Sequence, residues 1–220
     1  MKRLTVYNYD NKIRLGKDYA GGYVIADIPD YDMYICGGVG NDGSFDEDVI
    51  NTFDIKIAFL FDGTHFNKLD CVAGHDIIKK NIGPEETEKA TNLKELLSKA
   101  ENAFLSIDIE GHEYDWLDCL SDELKNVKQF VIEFHNAEKT LKAAEKINET
   151  HYLVHVHGNN CGGSSKIGDR MIPDCIECTY IRKDLLHKVE LSRQPIPGAL
   201  DMRCCKNMNE VKMNYKPFVH

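Results

Sequence analysis

Apolar and polar residues alternate through Leu105-Ser-Ile-Asp-Ile-Glu110, and Gly111 then breaks the run. Leu105, Ile107 and Ile109 recur at a period of two, the pattern of a buried strand, and the strand ends in charge. The same period predicts strands over 12–15 and 23–27, joined by a turn at 18–22 where Gly21-Gly22 supplies a permissive backbone. Short apolar runs predict further strands over 33–36, 55–61, 103–109, 130–135, 152–157 and 176–182, and a short one near 77–80. Between them lie stretches of helical pattern at 45–53, 84–100, 114–120 and 140–149. Leu93, Leu96 and Leu97 share one face of the second, and the only tryptophan, Trp116, lies in the third. Ser44 with Glu47 three residues on is a capping-box signature for the first helix. Residues 158–165 read as a glycine-rich loop able to act as a gate, and the proline-bearing stretch from about Ser192 as irregular.

Strands alternating with helices imply an α/β domain. The expected fold is Rossmann-like, with a mostly parallel sheet, helices on both faces and a short N-terminal β extension. The last strand follows 152–157 without an intervening helix and is expected to run antiparallel. The division expected is a hairpin extension over 1–30, a catalytic domain over 31–190 and a packed tail over 191–220. A length of 220 residues suits one large domain.

Composition narrows the partners. A net charge of −9 argues against nucleic acid, and no apolar run is long enough to span a bilayer. The first ten residues lack the apolar core of a signal peptide, so a cytoplasmic protein is expected, in the host cytoplasm if the source is viral. For the eight cysteines that setting implies free thiols. Cys175-x-x-Cys178 with Cys204-Cys205 has the look of a zinc site. However, a strand there would point Cys175 and Cys178 to different faces.

Three features carry chemistry. Gly37-Gly-Val-Gly40 between the first central strand and its helix lets a ligand approach the backbone, although a plain strand–helix turn uses glycines too. Asp62 ends the next strand, where an acid can accept hydrogen bonds from a ribose. Finally, Asp108 with Glu110, Glu133 with His135, and His155 with His157 share faces at three strand ends. Carboxylates and imidazoles there suit a divalent cation or general-base work.

Arg14-Leu-Gly16, Gly21-Gly-Tyr-Val-Ile25, Gly38-Val-Gly-Asn-Asp-Gly-Ser-Phe45, Phe61-Asp62, Ile107-Asp-Ile-Glu-Gly-His-Glu113, Glu133-Phe-His135 and Val154-His-Val-His-Gly-Asn-Asn160 occur in this order. Together they resemble FkbM-type S-adenosylmethionine-dependent methyltransferases, in particular glycan-modifying domains of large DNA viruses and bacteria. The resemblance covers about residues 12–184. It departs from the family at Cys36, near where many methyltransferases place an acid. It implies that Gly37, Gly38, Gly40 and Asn41 line the methionine part of the cofactor. Asp62 would hold the ribose, with Thr64 beside it, and Gly22 and Tyr23 would close over the site. Asp108 would be a first metal ligand for Mg²⁺ or Mn²⁺, joined by Glu133 and His135, with His112, His135 and His157 as candidate bases. The implied activity is O-methylation of a sugar hydroxyl, such as one of rhamnose in a glycan. A nicotinamide-dependent oxidoreductase or epimerase, a metal-dependent hydrolase and a non-catalytic carbohydrate-binding module are the competing readings.

Overall fold

The computed structural model describes residues 2–64 and 69–220. Its strands are β1 (Lys12–Gly16), β2 (Gly22–Ala26), β3 (Met33–Gly37), β4 (Ala58–Phe61), β5 (Cys71–Val72), β6 (His75–Ile78), β7 (Asn81–Ile82), β8 (Ala90–Thr91), β9 (Ala103–Ile107), β10 (Val127–Phe134), β11 (His151–Gly158), β12 (Ser164–Ile167), β13 (Arg170–Pro173) and β14 (Ile176–Arg182). The α-helices are α1 (Ser44–Thr52), α2 (Lys94–Leu97), α3 (Glu113–Cys119) and α4 (Ala137–Ile147).

The architecture is α/β, with a large mixed sheet and few helices. Eight strands pair in the order β11-β14-β10-β9-β3-β4-β6-β5. The pairings β10/β9, β9/β3, β3/β4 and β4/β6 are parallel. Those of β14 with β10 and β11, and of β5 with β6, are antiparallel. The antiparallel last strand expected from the sequence is therefore present, inserted between β10 and β11.

Alternation along the central strands divides the core in two. Met33, Ile35, Leu105, Phe130 and Ile132 face one cluster, and Tyr34, Cys36, Phe104 and Val131 face the other. The first is covered by α3 and α4. Trp116 is fully buried there, edge-on to Phe130, and its indole N–H donates to the Asn92 carbonyl at 3.1 Å. The second is covered by α1 through Phe45, Val49 and Ile50, and by the β1–β2 hairpin. Thr179 on β14 donates to the Val24 carbonyl at 2.6 Å, and Gln129 on β10 bonds the Ala26 backbone, so β2 lies across the sheet. A hairpin thus fills part of the layer where a helix was expected. The tail has no helix or strand of its own, but Ile196, Met213 and Phe218 are buried against the first cluster.

Several elements differ from the sequence reading. The helix expected over 84–100 shrinks to α2. Side chains take over its backbone donors: Thr87 Oγ1 accepts from Ala90 N, Thr91 Oγ1 from Leu93 N, and Asn92 Oδ1 from Lys94 N. Leu93 and Leu97 are buried as their spacing implied, but in a largely irregular segment. Ser44 is the first residue of α1 rather than its cap; its hydroxyl accepts from Lys17 N and ties the helix to the hairpin. The loop after β11 is anchored rather than free. Cys161 and Cys205 form a disulfide, and the Asn160 side chain bonds the backbone of Cys205, Met208 and Asn209. That disulfide also corrects the expectation of eight free thiols. The four-cysteine zinc site does not form: Cys205 is oxidised, Cys178 packs in the first cluster, and Cys175 bonds Glu133. Among the described residues, no helix is long and apolar enough to cross a membrane.

Candidate functional site

A cavity of about 550 Å³ opens at the ends of β3, β4 and β9. β3 runs out into the glycine turn, and Gly37, Gly38, Gly40 and Asn41 all line the cavity, as do Asp62, Thr64, Asp108 and His112. The glycines serve packing as well as access. A Cβ on Gly38, at φ +91°, would overlap the Asp108 carbonyl oxygen, because the turns after β3 and β9 touch there. Asp108 N donates to the Gly37 carbonyl at 2.9 Å, which holds the two turns together. At Gly40 (φ +62°) the need is conformational, since a Cβ there would meet nothing.

Asp62 is buried, and one oxygen accepts from Gly40 N at 2.8 Å while the other accepts from the Thr64 amide and hydroxyl at 2.8 and 3.0 Å. Its first role is to join the turns after β3 and β4. Gly22 is not at the cavity. It pairs with Gly16, and a Cβ on it would run into the Arg14 guanidinium. Its neighbours Gly21 and Tyr23 line the cavity instead.

Beside the cavity Asp108, Glu133 and His135 come together around the imidazole. His135 Nε2 lies 3.6 Å from Asp108 Oδ1, 3.5 Å from Glu110 Oε2 and 3.9 Å from Glu133 Oε1. Its Nδ1 is 3.0 Å from Glu113 Oε1. Glu113, fully buried, also accepts from Ile109 N and Gly111 N. It therefore clamps the turn at Glu110 (φ 53°) and Gly111 (φ 98°) and aims the imidazole at the carboxylates. The Tyr23 hydroxyl closes the group from above, 3.4 Å from Asp108 Oδ2 and 3.2 Å from Glu133 Oε2. Asn159 and Cys175 donate to Glu133 Oε1 at 2.9 and 2.6 Å. Nothing in the local sequence pointed to Asn159, Cys175 or Glu113 as partners of this group; only the fold brings them there.

The group is crowded with negative charge. Burial, then Glu133, holds the Asp108 carboxyl well above the usual carboxylate range. Burial and Glu177 likewise raise Glu133. Burial alone would lower the His135 pKa, but Glu113 and Asp108 outweigh it and lift it to about 9. Asp108 Oδ1 is buried and has no hydrogen-bond partner. An unpartnered buried oxygen facing an imidazole and two further carboxylates fits a divalent cation. Two overlapping donor sets are in reach: Asp108, Glu110 and His135, or Glu133, His135 and Cys175.

The three histidines expected as bases part company. His112 lines the cavity and is exposed. His135 is held as an imidazolium among carboxylates. His157 is away from the cavity, buried between Glu177 at 2.9 Å and Glu210 at 2.5 Å. The nearby His155 pairs with Asp201 at 2.8 Å.

These shifts set a pH dependence. Burial opposes protonation of His157, but Glu177 dominates and lifts its pKa to about 9. A histidine pKa raised on folding stabilises fully below its ordinary value near 6.5, and that contribution is lost as pH rises through about 9. The raised carboxyls of Asp108 and Glu133 act in the same direction, because the folded state holds their protons longer. In chelator, the melting temperature is expected to fall between pH 6.5 and 9; a flat or rising profile would refute this charge assignment.

No protein-family model, curated protein or solved structure matches this chain.

Proposed function

We propose that the chain is an S-adenosylmethionine-dependent O-methyltransferase of Rossmann-like architecture acting on a sugar hydroxyl. The observation that carries this reading is the charge of the cavity at the point where strand order reverses. β4 and β6 lie to one side of β3, and β9 and β10 to the other. In open α/β sheets ligands bind in that crevice, beyond the strands' carboxyl ends. Here the crevice is lined by Asp42, Asp46, Asp62, Asp108 and Glu110, and among the described residues Lys80 is the single lysine or arginine in the lining. Asp42 and Asp46 flank the N-terminus of α1, where a dinucleotide would place its pyrophosphate. Asp42 is paired with Lys17 at 2.6 Å and the buried Asp46 accepts from the Tyr34 hydroxyl, so neither side chain offers phosphate a donor, and the acidic lining as a whole favours a ligand with a cationic sulfonium and no phosphate. Phe61, Ile82 and Val39 give the cavity an apolar wall for a base.

In this reading the chain's own residues bind and orient. The glycine turn and Asn41 hold the amino-acid end of the cofactor, and Asp62 and Thr64 hold its ribose. Asp62 also keeps the turns after β3 and β4 in register. The cofactor supplies an electrophilic methyl group, so the protein's main task is alignment with the acceptor. Asp108, Glu110 and His135 would hold Mg²⁺ or Mn²⁺, with Glu133 beside them, and the ion's contribution would be to lower the pKa of a nearby hydroxyl. Glu113 behind His135 is the carboxylate that orients a ligand histidine. With His135 so engaged, His112 is the imidazole left on the cavity wall to take the acceptor's proton. Tyr23, on the hairpin, closes the site.

Calorimetry with S-adenosylhomocysteine and with NAD⁺ tests the reading. The homocysteine compound is expected to bind and NAD⁺ not; the reverse would establish a nicotinamide enzyme and overturn the proposal. Asp62→Ala is expected to weaken S-adenosylhomocysteine at least about tenfold, because it removes a ribose acceptor and frees Gly40. Unchanged affinity would remove Asp62 from the cofactor site.

A further inference from the structure

A second group of donors lies beside the first, on the next two strands of the sheet. Glu177 on β14 is the direct cross-strand partner of Glu133, and His157 on β11 is in turn the partner of Glu177. The three side chains therefore stand in one row on the same face of the sheet. His157 Nδ1 is 2.9 Å from Glu177 Oε2, and the Cys204 thiol donates to Glu177 Oε1 at 3.0 Å. One nitrogen, one oxygen and one sulfur, from His157, Glu177 and Cys204, lie within 4.8 Å of one another. All three residues are at least nine-tenths buried. We propose that His157, Glu177 and Cys204 form a second cation site, suited to a thiophilic divalent ion such as Zn²⁺.

Two independent features support a ligand set over a simple ion pair. The first is the far side of His157. Its Nε2 is 2.5 Å from Glu210, so that carboxylate accepts a hydrogen bond from Nε2–H, and loss of the Nδ1 proton to solvent would leave Nδ1 as the ligand atom facing Glu177 and Cys204. A carboxylate on the outer nitrogen is the usual support of a metal-bound histidine. The second is the way Cys204 is delivered. The tail has no helix or strand, yet the Cys161–Cys205 disulfide and the Asn160 side chain fix the residue next to Cys204. Among the described residues, no lysine or arginine pairs with Glu177 or Glu210.

The exchange balances. Without the ion, two carboxylates, one imidazolium and a neutral thiol sum to one negative charge. Binding releases the Cys204 proton and the Nδ1 proton of His157 to solvent, and a dication enters. The buried charge is unchanged, and the new bonds are to thiolate sulfur, imidazole nitrogen and carboxylate oxygen. Sulfur and nitrogen select Zn²⁺ over Mg²⁺, whereas the oxygen-rich group at Asp108 has the opposite preference. Three protein ligands leave a fourth position open, as in zinc sites that bind an exchangeable molecule.

The test uses the intact, chelator-stripped chain with its disulfide preserved, titrated with Co²⁺ as a spectroscopic substitute for Zn²⁺. One equivalent is expected to give a thiolate-to-cobalt charge-transfer band that Zn²⁺ abolishes. Cys204→Ser should lose the band, while Asp108→Asn and Cys175→Ser keep it. Glu210→Gln, which leaves all three ligands in place, should keep the band and weaken affinity about 10- to 100-fold. Absence of a thiolate band in the wild-type chain overturns the proposal. So does a band that survives Cys204→Ser or disappears with Cys175→Ser. None of these outcomes depends on S-adenosylmethionine binding.

Discussion

On the proposed methyltransferase reading, Asp108→Asn is expected to lower methyl transfer about 10²- to 10⁴-fold while S-adenosylhomocysteine binds within about twofold of wild type. The substitution keeps the size of the side chain and the backbone bond from Asp108 N to Gly37, so the turn beside the cavity is preserved. What it removes is the ability to ionise for a cation at an oxygen that has no donor and faces His135 Nε2 at 3.6 Å. The same change relieves repulsion with Glu133 and Glu110, which hold the Asp108 carboxyl above its ordinary range together with burial. The cation-free variant should therefore melt at or above the wild-type temperature, and Mn²⁺, which is expected to raise the wild-type temperature, should leave that of the variant unchanged. Turnover is read as S-adenosylhomocysteine release with a rhamnose-type acceptor. Full turnover in the variant would make Asp108 structural, and a lower melting temperature in chelator would contradict the charge argument.

The second large effect is on stability. Gly38→Ala is expected to cost about 3 kcal/mol or more. The residue sits at φ +91°, a strained conformation for alanine, and the added Cβ would overlap the Asp108 carbonyl oxygen. Gly40→Ala isolates the conformational part. It has φ +62° and open space around a Cβ, so about 1–2 kcal/mol is expected. Urea denaturation of the two variants separates the contributions. If Gly38→Ala is no worse than Gly40→Ala, the turns after β3 and β9 do not touch as described. The comparison bears on function because it tells a glycine held by packing from one held by a ligand.

Much of the sheet was legible because its central strands are short apolar runs, buried on both faces. The runs at 33–36, 103–109, 130–135, 152–157 and 176–182 all became strands, within a few residues at their ends. The segment 84–100 misled because leucine spacing reports burial, and Leu93 and Leu97 are indeed buried. It does not report that Thr87, Thr91 and Asn92 will capture the backbone donors a helix needs. The residues of the candidate site were legible in kind, since carboxylates and imidazoles gathered at strand ends. Their roles were not. His157 shares its residue type and its strand-end position with His135, yet the two belong to different groups. Parity along a strand gives the face, but not which neighbouring strand lies alongside.

By itself the sequence determined the long central strands and that Asp108, Glu133 and His135 lie at or just beyond strand ends, because a short apolar run that stops in charge is a local property. Only the tertiary structure decided that Glu113 orients His135 and that Tyr23 comes down from a hairpin onto Asp108 and Glu133. It also decided that a tail without helix or strand brings Cys204 and Glu210 to His157. Those arrangements depend on strand order and on contacts between residues up to 110 positions apart. Such contacts follow from how the two faces of the sheet are covered, and no local pattern of residues encodes that.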